Sequence, residues 1–276
     1  MTKFATFIIM IFLFVLTPIA ILAQSGCATV IDSAQIKYEE NLPALPATFE
    51  KLNKVLHIHF YIVKRDVTGT NFTTSKIIDA IDFVNLAFEP SGISFALIDT
   101  TIIENYQLYN VQKGKTETNL VAQYNQKNVI NVYLVDYLRN EDNKTVCGYT
   151  YFPSAQKDFI MLRKGCFSEQ LLLKQMGHLL NLYHTHETVF GNEQANGEEC
   201  NTTGDRCCDT PADPGLEDLV SNCKYTGKGK DINNDYYAPT VTNYMSDSPV
   251  NCQCKFTEEQ LKRVIQCIKG TKSYLY

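Results

Sequence analysis

Two histidines, His178 and His184, lie in a stretch that runs Lys174-Gln175-Met176-Gly177-His178-Leu179-Leu180-Asn181-Leu182-Tyr183-His184. Positions 174 and 178 are four apart, so on a helix their side chains leave the same face and could share one metal ion. A carboxylate next to the first of them would take a proton from a metal-bound water. A third ligand six residues after the second reaches the metal only if the helix stops and the chain reverses. That reversal needs a residue tolerant of left-handed backbone. His178 and His184 have the chemistry of zinc ligands, and Asn181 is second to glycine at a left-handed turn. Lys174 instead offers an ammonium group, and Gln175 an amide that cannot accept a proton. Two imidazoles alone hold zinc weakly, because structural sites use four ligands and catalytic sites three plus water. The expectation is a hydrolytic zinc arrangement with its base lost at Gln175, its first ligand lost at Lys174, and zinc occupancy reduced or absent.

The stretch resembles the extended metzincin motif H-E-x-x-H-x-x-G-x-x-H, and most of all the version found in the pappalysin family of zinc peptidases. In that likeness His178 and His184 match the second and third ligands. Gly204-Asp205-Arg206-Cys207-Cys208-Asp209-Thr210-Pro211-Ala212-Asp213-Pro214 resembles the family's GD-x-x-CDTPADP segment. Asn243-Tyr244-Met245-Ser246 resembles its Met-turn, which implies that Met245 lies under the metal. The resemblance covers roughly residues 55 to 270. It implies a metzincin-type α/β (α+β) domain with a mixed twisted sheet, a backing helix, the motif helix and an irregular, disulfide-rich C-terminal part. It also implies zinc, calcium in the region of Asp205, Asp209 and Asp213, and an extended peptide or extracellular protein as partner. The chain departs from the family at Lys174 (for His), Gln175 (for Glu), Asn181 (for Gly) and Asp247 (for a Tyr two residues after the Met). A new cation and a new anion at positions expected to meet suggest a Lys174–Asp247 ion pair filling the vacated site. The rival arrangement has Asp247 joining His178 and His184 as a two-His, one-carboxylate metal site.

The elements that would position these residues are partly visible. Val55 to Val63 is β-branched or aromatic and alternates, which predicts a strand. Thr74 or Ser75 can cap a helix with Ile77, Ile81, Val84 and Phe88 on its apolar face, ended by Pro90-Ser91-Gly92. Further strands are expected at Ile93 to Ile98, Asn128 to Asp136 and Phe159 to Arg163. Ser168 caps a motif helix expected to reach Tyr183. Thr257 and Gln260 form a capping box before a final helix over about Glu258 to Lys269, with Leu261, Val264, Ile265 and Ile268 on its apolar face.

The first residues bear on compartment. Lys3, the apolar run Phe7 to Leu16, the break at Thr17-Pro18 and the small residues to Ala23 form a signal-peptide pattern over 1–23. A secreted protein with no stable membrane span after cleavage follows. Residues 24–54 read as an N-terminal arm or short pro-segment, and 55–276 as the peptidase-like domain. Cys27 is the only cysteine of the arm, and the sequence gives no support for a cysteine-switch scheme of inhibition. All ten cysteines follow the leader; in an oxidising compartment they read as a disulfide framework, with Cys200, Cys207, Cys208, Cys223, Cys252 and Cys254 stapling the irregular segment. Asn71, Asn143 and Asn201 open glycosylation sequons. A net charge of −5 with no basic cluster argues against a nucleic-acid partner. The reading is a secreted pseudopeptidase that retains a peptide-binding cleft. The alternatives are an active zinc endopeptidase and a structural secreted glycoprotein.

Overall fold

The computed structural model describes residues 27–66 and 72–276. The leader and the Asn71 sequon lie outside the described residues.

From the N-terminus, α1 (Ser33–Glu40) is capped by Asp32, whose carboxylate accepts from the Gln35 backbone N–H at 2.8 Å. β1 (Lys54–Lys64) is the strand expected from its alternation. α2 (Thr74–Phe88) follows with Thr73 at the cap, and a 3₁₀ turn over Glu89–Ser91 ends in left-handed Gly92. β2 (Ile93–Glu104) runs six residues beyond the expected Ile98 because it pairs with β1 along its whole length. Next come β3 (Asn110–Gln112), α3 (Thr116–Tyr124), β4 (Ile130–Val135), β5 (Tyr137–Arg139), β6 (Gly148–Thr150) and β7 (Phe159–Arg163). The motif helix α4 (Glu169–Leu179) starts where Ser168 Oγ accepts from Leu171 N at 3.1 Å. A small hairpin of β8 (Val220–Ser221) and β9 (Lys224–Tyr225) precedes α5 (Glu258–Lys269), which carries the expected Thr257/Gln260 capping box.

The main sheet has the order β2-β1-β4-β7-β6. Its first four strands are parallel, and β6 lies antiparallel along the edge. Both faces are covered. Leu56, Ile58, Phe60 and Ile62 pack with α2, α4 and α5, whereas Tyr61, Val63, Tyr133 and Met161 pack with Leu120 of α3 and Leu138 of β5. That double burial is why β4 is apolar at nearly every position. The mixed α/β architecture is the one expected.

Three disulfides are formed: Cys147–Cys166, Cys200–Cys208 and Cys223–Cys252. The expectation that Cys207 and Cys254 join the framework is overturned, since both are free thiols, as are Cys27 and Cys267. Cys207 and Cys208 are adjacent and diverge. Cys208 turns out to Cys200, while Cys207 turns into the interior, where burial and then Asp205 push its thiol well above the ordinary range. Cys252 pairs with Cys223, and Cys254 stays exposed.

Candidate metal centre

α4 stops four residues earlier than the apolar pattern suggests, and its end sets the site. Asn181 adopts φ +74°, the left-handed conformation anticipated for it. Leu182 N donates to Gly177 O at 2.8 Å and Asn181 N to His178 O at 3.1 Å, a Schellman reversal that brings His184 back toward His178. Their rings stand 4.6 Å apart between centroids. Met245 lies beneath the helix, fully buried, and Gly177 makes room for it: a Cβ there would come within 2.6 Å of the Met245 sulfur.

The tautomers of both histidines follow from their partners. His178 Nδ1 is 2.8 Å from the Leu182 carbonyl and His184 Nδ1 is 3.3 Å from the Met245 carbonyl. A carbonyl only accepts, so each Nδ1 carries a proton and Nε2 is the nitrogen left to face a ligand. Anchoring of the remote nitrogen in this way is how metal-ligating imidazoles are oriented. Burial and the neighbouring His178 hold His184 below the ordinary imidazole range, favouring the neutral form that ligates.

The group that meets these rings is Cys27, for which the sequence supported no part in the site. Cys27 Sγ lies 3.4 Å from His178 Nε2, and the sulfur and the nearest nitrogens of His178 and His184 all lie within 4.8 Å of one another. Burial raises the Cys27 thiol, but the charges and hydrogen bonds of His178 and His184 outweigh it and hold the group well below an ordinary thiol. Gln175, fully buried at the base position, uses both ends of its amide on the same segment. Its Nε2 donates to Cys27 Sγ at 3.2 Å, and its Oε1 accepts from Thr29 Oγ1 at 2.9 Å. Residues 27–29 also lie on the edge strand β6. Ala28 N donates to Gly148 O at 2.9 Å, and Thr150 N donates to Thr29 Oγ1 at 3.1 Å.

Lys174 and Asp247 do meet, at 3.1 Å, and Lys174 Nζ also donates to Ser246 O at 2.8 Å. The pair does not fill the space between the histidines. Asp247 Oδ1 is 4.0 Å from His184 Nδ1, the protonated side of the ring, and Asp247 Oδ2 is 3.3 Å from His186 Nε2. Burial alone would raise the Asp247 carboxyl, but Lys174, His184 and His186 outweigh it and hold the group below its usual range. The rival set of Asp247 with His178 and His184 is not assembled, because the carboxylate groups with His184 and His186 instead. Glu187 fixes the following loop, its Oε1 accepting from Thr188 N and Val189 N.

The donor set therefore fits zinc in an unexpected combination. Lys174 points away toward the Met-turn and Gln175 is engaged with the arm, whereas Cys27, His178 and His184 converge. For bond lengths of about 2.3 Å to sulfur and 2.05 Å to nitrogen, a tetrahedral zinc separates the two ligand atoms by about 3.5 Å, close to the 3.4 Å observed.

The aspartates considered for calcium form a second buried group with Glu193. Asp205 Oδ1 accepts from Cys207 N and Thr210 Oγ1, while its Oδ2, buried, has no hydrogen-bond partner. Asp213 accepts from Thr185 Oγ1 at 2.6 Å, and Asp209 instead accepts from Glu259 N at the surface. Burial, then Asp205 and Asp213, push Glu193 up to about 8; burial above all pushes Asp205 up to about 7. Carboxyls whose folded-state values are raised bind protons more tightly in the native state, so their contribution to stability is present below the unfolded value and is lost as pH rises through the folded one. In metal-free buffer the thermal midpoint should consequently fall between about pH 5 and 8. Glu193→Gln should flatten that fall, and a midpoint indifferent to the substitution across this window would contradict the account.

The chain is similar in sequence to fungal proteins named extracellular metalloproteases. One from Arthroderma gypseum is 23% identical over 265 residues, covering 89% of this chain and 84% of the relative. One from Podospora anserina is 25% identical over 244 residues, covering 81% and 76%. No family model matches the sequence. Among solved structures, mature mirolysin of Tannerella forsythia in complex with a cleaved peptide superimposes with a TM-score of 0.59 at 16% identity, covering 82% of this chain and 96% of that one. A promirolysin mutant gives the same TM-score and covers 87% of this chain and 88% of that one. The fold is that of mirolysin. The names of these fungal relatives imply a metal and peptide or protein substrates for those proteins. Among the described residues no helix is long and apolar enough to cross a membrane.

Proposed function

We propose that this chain is a secreted, pappalysin-like metallopeptidase homologue that no longer hydrolyses peptides and keeps a peptide-binding cleft, which its own N-terminal arm occupies. The observation that carries this reading is Gln175. A metalloprotease base must accept a proton from the attacking water. The Gln175 amide cannot, and both its ends are committed to Cys27 and Thr29. Lys174, at the first ligand position, is drawn off to Asp247 and Ser246. Zinc, where bound, would supply Lewis-acid polarisation; His178 and His184 would hold it. Gln175, at the base position, has no basic group with which to take the proton that hydrolysis moves. Binding and transition-state stabilisation are separable, so a cleft can outlive its chemistry. An extended partner from another protein would add to β6 and compete with residues 27–29. Secretion is supported by the leader pattern and by relatives named extracellular, and glycosylation by the exposure of Asn143 and Asn201. Glu193, Asp205 and Asp213 are the group calcium would neutralise.

A second reading, an active zinc endopeptidase, is favoured by the names of the relatives. The two separate in one experiment. The secreted protein, supplied with zinc, is incubated with a proteome-derived peptide library and the products are read by mass spectrometry. No chelator-sensitive cleavage is expected; reproducible chelator-sensitive cleavage at a defined sequence would establish the endopeptidase.

A further inference from the structure

We propose that a cavity at the amino ends of β4 and β7 is a saccharide-binding site, which takes a neutral sugar unit through free amides and an aromatic wall. The proposal goes beyond the reading above and does not rest on it. No residue lining the cavity belongs to the motif helix, its turn or the N-terminal arm.

The cavity measures about 600 Å³, within the range of small-molecule sites. It lies where three segments meet: 125–128 after α3, 156–159 leading into β7, and 271–274 after α5. Two buried polar side chains tie these segments together. Asn131, fully buried, donates through Nδ2 to Gln126 O at 2.9 Å, Val129 O at 2.8 Å and Asp158 O at 3.2 Å, and its Oδ1 accepts from Gln126 N at 2.8 Å. Lys272, also fully buried, donates to Asp158 Oδ1 at 2.5 Å and to Lys157 O at 3.3 Å. Tyr274 OH donates to Asp158 Oδ2 at 2.8 Å. The walls are therefore fixed before a ligand arrives, which lowers the ordering cost of binding.

The lining points to the ligand class. Asn125, Gln126, Asn128 and Gln156 contribute amides, which both donate and accept, as sugar hydroxyls do. The side chains of Asn128 and Gln156 are exposed and have no hydrogen-bond partner among the described residues. Both stand on left-handed backbone, at φ +59° and +51°. Glycine would make the turn at 156 with less strain, so the turn alone does not account for a glutamine there. Tyr274, 38% exposed, and Phe159 add aromatic surface for the C–H groups of a sugar ring. Charge is balanced. Asp158 is matched by Lys272, and Lys157 lies 3.8 Å from Glu117 and over the ring of Tyr151. Lys127 is the one cation of the lining with no carboxylate partner among the described residues. A phosphate or carboxylate ligand would call for a cluster of cations, so a neutral one fits better.

The test uses the full secreted protein, freed enzymatically of its own N-glycans, and saturation-transfer NMR. The probes are millimolar neutral disaccharides built from glucose, mannose or N-acetylglucosamine, a sulfated disaccharide and an unrelated dipeptide. Transfer to at least one neutral sugar is expected. Running that sugar as part of an asparagine-linked glycopeptide separates a glycoprotein source, which should bind more tightly, from a free carbohydrate. Asn128→Gly with Gln156→Gly should weaken the sugar about 30-fold, the effect of losing two neutral hydrogen bonds. The thermal midpoint of that variant should stay near the unaltered protein's, because glycine suits both turns. Lys127→Ala should leave sugar binding unchanged. No transfer to any neutral sugar, sugar binding indifferent to the double variant, a preference for the sulfated probe that Lys127→Ala removes, or transfer to the dipeptide equal to that to the sugars would each overturn the proposal.

Discussion

Glu39→Ala is expected to lower the stability of the fold by about 3–5 kcal/mol, the range for breaking a buried ion pair from one side. The Glu39 carboxylate has a side-chain exposure of 1%, and Arg263 opposite it 4%. Removing the anion leaves the guanidinium buried against Tyr183 and the Asn181 carbonyl with no countercharge. The same carboxylate accepts from Asn181 Nδ2 and Tyr183 OH, both at 2.8 Å, so the loss also strips partners from the residue that turns the chain at the site. By contrast Lys174–Asp247, whose carboxylate is 43% exposed, is screened by solvent and contributes at most about 1 kcal/mol. Chemical denaturation of Glu39→Ala beside Asp247→Ala measures the difference directly. The double change Glu39→Leu with Arg263→Leu should cost less than Glu39→Ala alone, because no unpaired charge remains. A loss under about 1 kcal/mol for Glu39→Ala would mean that the arm is only loosely docked.

The residues explain why much of the site was legible and why its decisive member was not. The motif helix, its Ser168 cap, the left-handed turn at Asn181 and the capping box of α5 are local features, written in neighbouring residues and read from them. α1 was missed because hydrophobic periodicity cannot reveal it. Its two buried residues are Gln35 and Glu39, which enter the interior by hydrogen bonding and ion pairing instead of by apolar contact. α3 escaped for a related reason, since one of its two buried residues is Glu117. Cys27 meets His178 across 151 residues of chain, and its own neighbours Gly26 and Ala28 carry no sign of that contact. The meeting of Lys174 and Asp247 was legible only because both depart from the pattern their surroundings resemble. What lies between the histidines was not: a cysteine-switch role for Cys27 was set aside, because no residue near it in sequence marks its meeting with His178.

Restoring the missing groups should expose how the site is closed. Lys174→His with Gln175→Glu is expected to give a protein that binds one zinc tightly and still hydrolyses nothing, because Cys27 remains where a catalytic zinc keeps its water. Adding Cys27→Ser should release chelator-sensitive peptide hydrolysis. Its rate should exceed that of the matching protein with Gln175 retained by about 10² to 10⁴, the usual contribution of a positioned general base. The frame needs no other repair at this point. Asn181 already holds the left-handed turn, Met245 already packs under Gly177, and both His Nδ1 groups are already anchored. Losing Lys174 leaves Asp247 beside His186, 3.3 Å away, so the carboxylate is not stranded. A fluorogenic-peptide assay run alongside zinc analysis reads the outcome. A triple variant that holds one zinc and stays inert would move the block from Cys27 to the hydrogen bonds that Ala28 and Thr29 make with β6. Hydrolysis by the double variant with Cys27 intact would show instead that the thiol yields its place to water whenever three histidines hold the metal, and that in this chain Lys174 and Gln175 alone account for the lost activity.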